Sequence, residues 1–144
     1  MARYLDSTGL LAGMPPYLQI QLFDDDHDGT ADAAAIEAVC EASCDEADIY
    51  ISEFATVPLT GAQISGGIKL CVRDIAWFRA HERIGRNSDL LQQRYEQVLE
   101  RLGMIARMEL GTGGATPPDP APTRRYLLAS EAKMFGRTNH GRLA

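Results

Sequence analysis

The chain has 144 residues, 45% of them hydrophobic, a length and composition that suit one domain of ordinary size with a packed core. No apolar run approaches the length of a transmembrane helix, and the first residues lack the basic and then apolar stretches of a secretory signal. We therefore expect no membrane contact and assembly in a cytoplasm. The net charge of −6 argues against simple DNA binding by the whole chain.

Two short helices are predicted at the start of the chain. Asp6 is a suitable N-cap for a helix over residues 7–12, which Gly13 ends. Pro15 suits the first turn of a second helix over residues 15–23.

Three longer helices follow, each predicted from apolar residues at helical spacing. The first begins after an N-cap at Asp32 and ends before Pro58, the second spans residues 64–81, and the third begins after Ser88 or Asp89. The pattern predicts an all-α fold, namely a small helical bundle of three longer helices plus short N-terminal helices.

The polar face of the first long helix is acidic, and we expect its carboxylates to be solvated. They are Glu37, Glu41, Asp45, Glu46 and Asp48. No nucleophile or second carboxylate in a cleft is evident beside them, so the pattern does not predict catalysis, and we expect the protein not to be an enzyme.

The three cysteines, Cys40, Cys44 and Cys71, all fall in predicted helices. Their spacing does not provide the four ligands of a zinc site. We expect buried free thiols, which behave as small core residues.

Aromatic residues and arginines lie together in the second long helix, a combination that occurs on nucleic-acid-binding surfaces. The residues are Trp77, Phe78, Arg73, Arg79 and Arg83. We favour a subunit interface, with Phe78 in the core and the arginines paired with acidic neighbours such as Asp74 and Glu82.

An Asp-rich loop precedes the first long helix and resembles an EF-hand calcium loop. Asp24, Asp26, Asp28, Gly29 and Asp32 occupy its positions 1, 3, 5, 6 and 9, and Thr30 would offer its carbonyl at position 7. Position 12, which supplies a bidentate Glu, is Ala35. Calcium is the only cofactor that the sequence suggests. The loop is therefore either a calcium site or an exposed acidic turn without a bound ion.

The C-terminal part of the chain differs in composition from the rest. Residues 1–110 form the predicted helical domain, residues 111–122 a Gly- and Pro-rich linker, and residues 123–144 a basic, extended C-terminal arm. Residues 1–122 hold 9 Lys/Arg against 19 Asp/Glu, whereas residues 123–144 hold 5 basic residues against Glu131 alone.

Apolar side chains lie among the cations of this arm. Its residues that we expect to bind a partner are Arg124, Arg125, Tyr126, Leu127, Leu128, Lys133, Met134, Phe135, Arg137 and Arg142. The cations could contact DNA phosphates, but a purely electrostatic tail would not need the apolar residues. We therefore favour an arm that becomes ordered in a groove of a protein partner.

The order of these features resembles a family of small Mu-like phage and prophage proteins that act as head–tail connectors, or neck adaptors. The resemblance covers about residues 3–110 and is carried by Tyr4 with the helix 6–11, by residues 19–22 leading into the loop 24–32, by residues 36–42, Tyr50, residues 57–59, residues 70–76 and residues 94–99. The chain departs from the family pattern in its glycine-rich segment 58–67, and residues 111–144 lie outside the matched part.

The resemblance implies a structural virion protein in the head–tail neck, assembled in the host cytoplasm. Its partners would be the portal protein, a tail-side neck protein (a stopper or tail terminator) and its own copies in a ring, commonly a dodecamer. DNA would pass through the channel without sequence-specific binding. The alternative function is a calcium-binding or regulatory helical module.

Overall fold

Residues 3–111, the part of the chain that the computed structural model describes, fold into five α-helices and one turn of 3-10 helix. The elements are α1 (Ser7–Leu11), α2 (Pro16–Phe23), α3 (Ala33–Ile51), the 3-10 turn (Gly61–Gln63), α4 (Gly66–Arg83) and α5 (Asp89–Leu110). The described residues contain no strand, which confirms the predicted all-α bundle of three longer and two short helices. None of these helices combines the length and apolar character needed to cross a membrane.

Side-chain caps fix where several helices begin. The Asp6 carboxylate accepts the Gly9 N–H at 2.6 Å, as predicted for the first helix. Ser88 caps α5 through the Leu91 N–H at 3.3 Å. Ser65 caps α4, so this helix begins two residues later than the predicted Ile64.

Asp32 occupies the N-cap position of α3, but its side chain does not cap the helix. Its Oδ2 atom instead accepts the backbone N–H of Asp25 at 2.8 Å. The carboxylate therefore closes the preceding loop and does not satisfy the first N–H groups of α3.

Helix α4 lies at the centre of the bundle and packs against the other four helices. Its core residues Ile68, Val72, Ile75 and Ala76 are completely buried. Burial of each large aliphatic side chain contributes about 1.5–3 kcal/mol to the free energy of unfolding. The packing of this one apolar face therefore holds the bundle together.

The three cysteines are free and buried, as predicted. Cys40 and Cys44 lie on α3 and Cys71 lies on α4, all within the hydrophobic core. Burial raises the pKa of the Cys40 thiol to about 11 and also raises the pKa of Cys71. Both thiols are therefore kept protonated, a form of low nucleophilicity.

Two carboxylates of α3 that were predicted to be solvated turn inward, so the prediction was wrong for them. Glu46 is only 9% exposed, and its carboxylate accepts hydrogen bonds from the Tyr95 hydroxyl of α5 and from the Arg79 guanidinium of α4 (Nε to Oε2, 2.9 Å). Asp48 is partly buried and accepts from the Tyr4 hydroxyl and from Arg3 (Nη1 to Oδ2, 2.7 Å). Each buried carboxylate thus has a tyrosine and an arginine as donors.

The two tyrosines respond to this burial. Burial, with a smaller contribution from the hydrogen bond to Asp48, raises the pKa of Tyr4 to about 12. Burial and the hydrogen bond to Glu46 also raise the pKa of Tyr95. Both hydroxyls therefore stay protonated as donors at neutral pH. The Tyr4 hydroxyl also accepts the buried Leu59 N–H at 2.9 Å, which ties the segment after α3 to the N-terminus.

The aromatic and arginine cluster of α4 is largely used inside the bundle. Phe78 is buried and stacks on Tyr95, with ring centroids 4.1 Å apart. Arg79 also pairs with Glu82 (Nη1 to Oε2, 3.3 Å), as predicted, and Arg83 pairs with Asp25. Arg73 lies 4.0 Å from Asp74.

We predict that Arg79→Ala lowers the free energy of unfolding by about 1–3 kcal/mol. The substitution leaves the Glu46 carboxylate buried with Tyr95 as its remaining donor. The expected loss of stability is smaller than that for a fully buried ion pair, because the Arg79 side chain is 39% exposed. Glu46→Gln should cost less, because its amide oxygen still accepts from Tyr95. Urea unfolding measures both effects.

Glu37→Gln, a change at an exposed carboxylate of the same helix, is the control and should stay within about 0.5 kcal/mol of the wild type. An Arg79→Ala effect no larger than that of the control would contradict the account.

Candidate functional site

The Asp-rich loop between α2 and α3 brings three of its predicted ligands together. Asp24, Asp26 and Asp28 each place a carboxylate oxygen within 4.8 Å of the others. Carboxylate oxygens are the ligands that calcium prefers. The structure thus gathers the residues at positions 1, 3 and 5 of the predicted calcium loop.

Hydrogen bonds within the loop hold these carboxylates in place. Asp24 accepts the backbone N–H groups of Asp28 (3.1 Å) and Gly29 (3.0 Å), and Gly29 adopts a φ of +88°, which favours glycine. The Thr30 hydroxyl (2.6 Å) and backbone N–H (2.8 Å) both donate to Asp28 and lower the pKa of its carboxyl group. The Asp28 carboxyl group therefore carries negative charge at neutral pH.

The remaining positions of the loop fit calcium less well. Ala35, at position 12, is a buried alanine and has no oxygen on its side chain. Asp32 is not one of the three clustered carboxylates, since it closes the loop on the Asp25 N–H. Calcium takes 6–8 oxygen ligands, so the three clustered carboxylates would supply only part of a shell.

A second acidic feature follows the outer side of α3. Exposed residues recur there at intervals of four, which places them along one inclined row of the helix surface. This acidic ridge consists of Glu37, Glu41, Asp45, Ile49 and, just beyond the helix end, Glu53. Ile49 is 68% exposed, an uncovered apolar side chain within a row of carboxylates.

One exposed stripe along α5 contains two cations, Arg94 and Arg101. Its exposed residues recur three and four positions apart and so share one stripe of the helix. This basic face consists of Leu90, Arg94, Gln97, Arg101, Met104 and Met108. The two methionines and Leu90 are 63%, 73% and 58% exposed.

A groove of about 280 Å³ runs beside this basic face, between α4 and α5. Trp77, Phe78 and Val98 contribute apolar walls, and Arg94 and Arg101 lie at its edge. The Trp77 indole N–H donates to the Leu10 carbonyl at 3.3 Å, so its ring is fixed against α1. Leu70, about two turns before Trp77 on α4, is 52% exposed and lines a separate pocket beside the N-terminal segment. The groove therefore combines apolar surface with two cations and the carboxylate of Asp74.

Sequence reasoning missed Glu46 and Asp48 as partners of tyrosines and arginines, and it did not recognise the basic face. Helical spacing does indicate that Glu46 faces the core, because it lies three residues after Ser43 and seven after Val39, both of which are buried. The pairing of Asp48 with Tyr4 joins residues 44 positions apart, and no local pattern indicates it.

The ten residues predicted to bind a partner through the C-terminal arm, from Arg124 to Arg142, lie outside the described residues, as does the linker after Gly111. The assignment of a linker and an arm stays a prediction from the sequence.

Comparison with known proteins identifies one family. The sequence matches the family described as Bacteriophage Mu, Gp36, over residues 4–129. This stretch includes all five helices and the Asp-rich loop, and it extends past Gly111 into the first residues of the basic arm. No curated protein and no solved structure matches the chain significantly.

The match spans most of the chain, and it agrees with the resemblance to Mu-like phage proteins seen in the sequence. The chain belongs to the bacteriophage Mu Gp36 family and is a protein of a Mu-like phage or prophage.

Proposed function

We propose that this chain is a head–tail connector, a structural protein of the virion neck that binds the portal and continues the DNA channel toward the tail. The observation that carries the proposal is the phage family match over residues 4–129, which spans the whole helical bundle. The role is structural and not catalytic. Consistent with this, the buried carboxylates Glu46 and Asp48 are used to join helices and segments of the bundle.

The charge of the bundle supports a place beside DNA. Residues 3–111 hold nine Lys/Arg against eighteen Asp/Glu. An acidic wall repels phosphates, so DNA can slide through a channel without being held, and no sequence-specific contact is required. The Asp24–Asp28 cluster is the most concentrated negative charge in the described part of the chain.

The basic arm supplies the contact with the portal in this proposal. Its cations suit an acidic groove, and residues 126–128 with Met134 and Phe135 supply apolar anchors. Copies of the bundle would form a ring, and each copy would contribute one arm. An interface repeated around a ring gains avidity without any new contact. On its other side the ring would meet a stopper or tail terminator protein.

We predict that the full-length chain binds the portal of its own phage, and that a chain ending at Leu110 binds far more weakly. The shortened chain keeps all five helices and loses only the part that carries the arm. Native mass spectrometry or size-exclusion chromatography with light scattering measures the complexes. Circular dichroism of the shortened chain provides the control for folding.

Equal binding by both chains would contradict docking through the arm and would move the contact to the bundle. If neither chain binds the portal, the connector proposal itself fails.

A second candidate function is a calcium-binding or regulatory module, favoured by the clustering of Asp24, Asp26 and Asp28. Bound calcium would offset the mutual repulsion of the three carboxylates and make the loop rigid. A ligand that binds only the folded state raises its stability, so this candidate has a direct thermodynamic readout.

If calcium binds, it should raise the Tm by several degrees, and Asp28→Ala should abolish that shift. Thermal unfolding with and without calcium measures it. Magnesium tests ion selectivity, and Glu37→Gln is the control for the loss of a carboxylate outside the loop. A wild-type Tm that does not change with calcium eliminates this candidate.

A further inference from the structure

An open cavity of about 470 Å³ lies where the N-terminal segment and α1 meet the first turns of α4. We call it the α1–α4 pocket. Its α1 side has no large side chain, so the space beside α4 stays open. The residues that line these two sides are Gly9 and Ala12 on α1, and Lys69, Leu70 and Arg73 on α4.

The lining of this pocket is positively charged, in contrast with the bundle as a whole. Residues 3–111 hold nine Lys/Arg against eighteen Asp/Glu, yet three of these cations and one carboxylate line the pocket. The carboxylate, Asp6, already accepts the Gly9 N–H at 2.6 Å as the N-cap of α1. Of the cations, Arg3 already pairs with two carboxylates of α3.

The other two cations, Lys69 and Arg73, form no hydrogen bond within residues 3–111. Arg73 lies 4.0 Å from its sequence neighbour Asp74, beyond hydrogen-bond distance, and Asp74 lines the α4–α5 groove instead of this pocket. The buried Nε atom of Arg73 has no acceptor among the described residues. An unsatisfied buried donor is costly, so the Arg73 guanidinium would gain from an added acceptor.

These two cations can act together on one anionic group. Lys69 and Arg73 are one turn apart on α4, about 6 Å along the helix axis, and therefore share one side of it. The Arg73 side chain is 37% exposed and can be reached from the pocket. Leu70, which lies beside them in the lining, is 52% exposed. The surface thus offers two cations next to an uncovered apolar side chain.

This combination suits an acidic peptide better than DNA. Proteins that depend on phosphate contacts make roughly 6–10 of them, whereas only two cations of this pocket are without a partner. A DNA backbone has no apolar group to cover Leu70, and a concave pocket admits a side chain more easily than a duplex. The net negative charge of residues 3–111 also repels DNA.

We propose that the α1–α4 pocket is a docking site for an acidic peptide segment of another protein. A carboxylate of that segment pairs with Arg73 and Lys69, and an apolar side chain next to it covers Leu70. The planar guanidinium of Arg73 suits a carboxylate, which can accept two parallel hydrogen bonds from it. This inference goes beyond the connector function and does not depend on it, because it concerns what one pocket of the bundle binds.

Titration of the isotope-labelled, full-length chain with synthetic peptides tests the docking site by nuclear magnetic resonance. The probes are short peptides in which two glutamates flank a leucine or a phenylalanine. They should shift the amide signals of the residues that line the pocket. Lys69→Glu with Arg73→Glu should weaken binding at least about tenfold, because like charges then face each other. Ala12→Phe fills the pocket without a change in charge and should weaken binding to a similar extent.

The matched control is Arg94→Glu with Arg101→Glu. It makes the same change in net charge at two exposed cations of α5 that lie outside this pocket. At about 0.15 M salt, where distant charges are screened, it should leave peptide affinity within about twofold of the wild type. Circular dichroism shows whether each variant keeps its helices.

A reversed peptide gives a second readout. Probes with lysines in place of the glutamates should shift the pocket signals of the Lys69→Glu, Arg73→Glu variant and not those of the wild type. A purely structural role of the two cations would not produce this exchange of specificity.

The docking site would be overturned if no acidic peptide shifted the pocket signals. Binding that persists in the Lys69→Glu, Arg73→Glu variant and shifts only signals beyond Gly111 would place the contact in the basic arm instead. A DNA duplex that shifts the pocket signals and displaces the peptide would replace the peptide with nucleic acid. None of these results concerns portal binding, so failure of the pocket proposal is distinguishable from failure of the connector proposal.

Discussion

One buried carboxylate connects the three long helices of this bundle. Glu46 of α3 accepts from Arg79 of α4 and from the Tyr95 hydroxyl of α5, while Tyr95 stacks on Phe78. Apolar side chains pack in several rotations of a helix about its axis, but a buried carboxylate needs its donors in place. The charge is costly to bury, and its hydrogen bonds fix which side of each helix faces inward. Asp48, two residues later, does the same for the N-terminal segment through Tyr4 and Arg3.

The outer surfaces follow from that arrangement. Asp48 shares its side of α3 with Asp45, and Arg3 of the N-terminal segment pairs with both carboxylates. With Tyr95 inward, Arg94 and Arg101 lie exposed on α5. The Asp24–Asp28 loop, which precedes α3, supplies separate negative charge.

Local signals in the sequence were enough for most of the helices and not for their partners. Asp6 and Ser88 placed the starts of α1 and α5 correctly, and helical spacing identified the core residues of α4. The end of α3 was predicted just before Pro58, whereas the helix ends at Ile51. Ser65 was overlooked as a cap, because apolar residues precede the true start of α4. Glu46 was predicted to be solvated because it lies in a run of acidic residues, which were taken together as one polar face. Its hydrogen-bond donors, Arg79 and Tyr95, are 33 and 49 residues away in the sequence, so no local pattern indicates them. The three loop carboxylates come together as their spacing predicted, because a turn of nine residues is a local structure.

The central claim is that this family member forms a ring in the neck of the virion. Electron cryo-microscopy of the neck, purified from virions of the phage that encodes the chain, tests it most directly. The account predicts a ring of five-helix bundles between the portal and the tail, with the Asp24–Asp28 loop facing the channel. A neck without this chain would contradict the account.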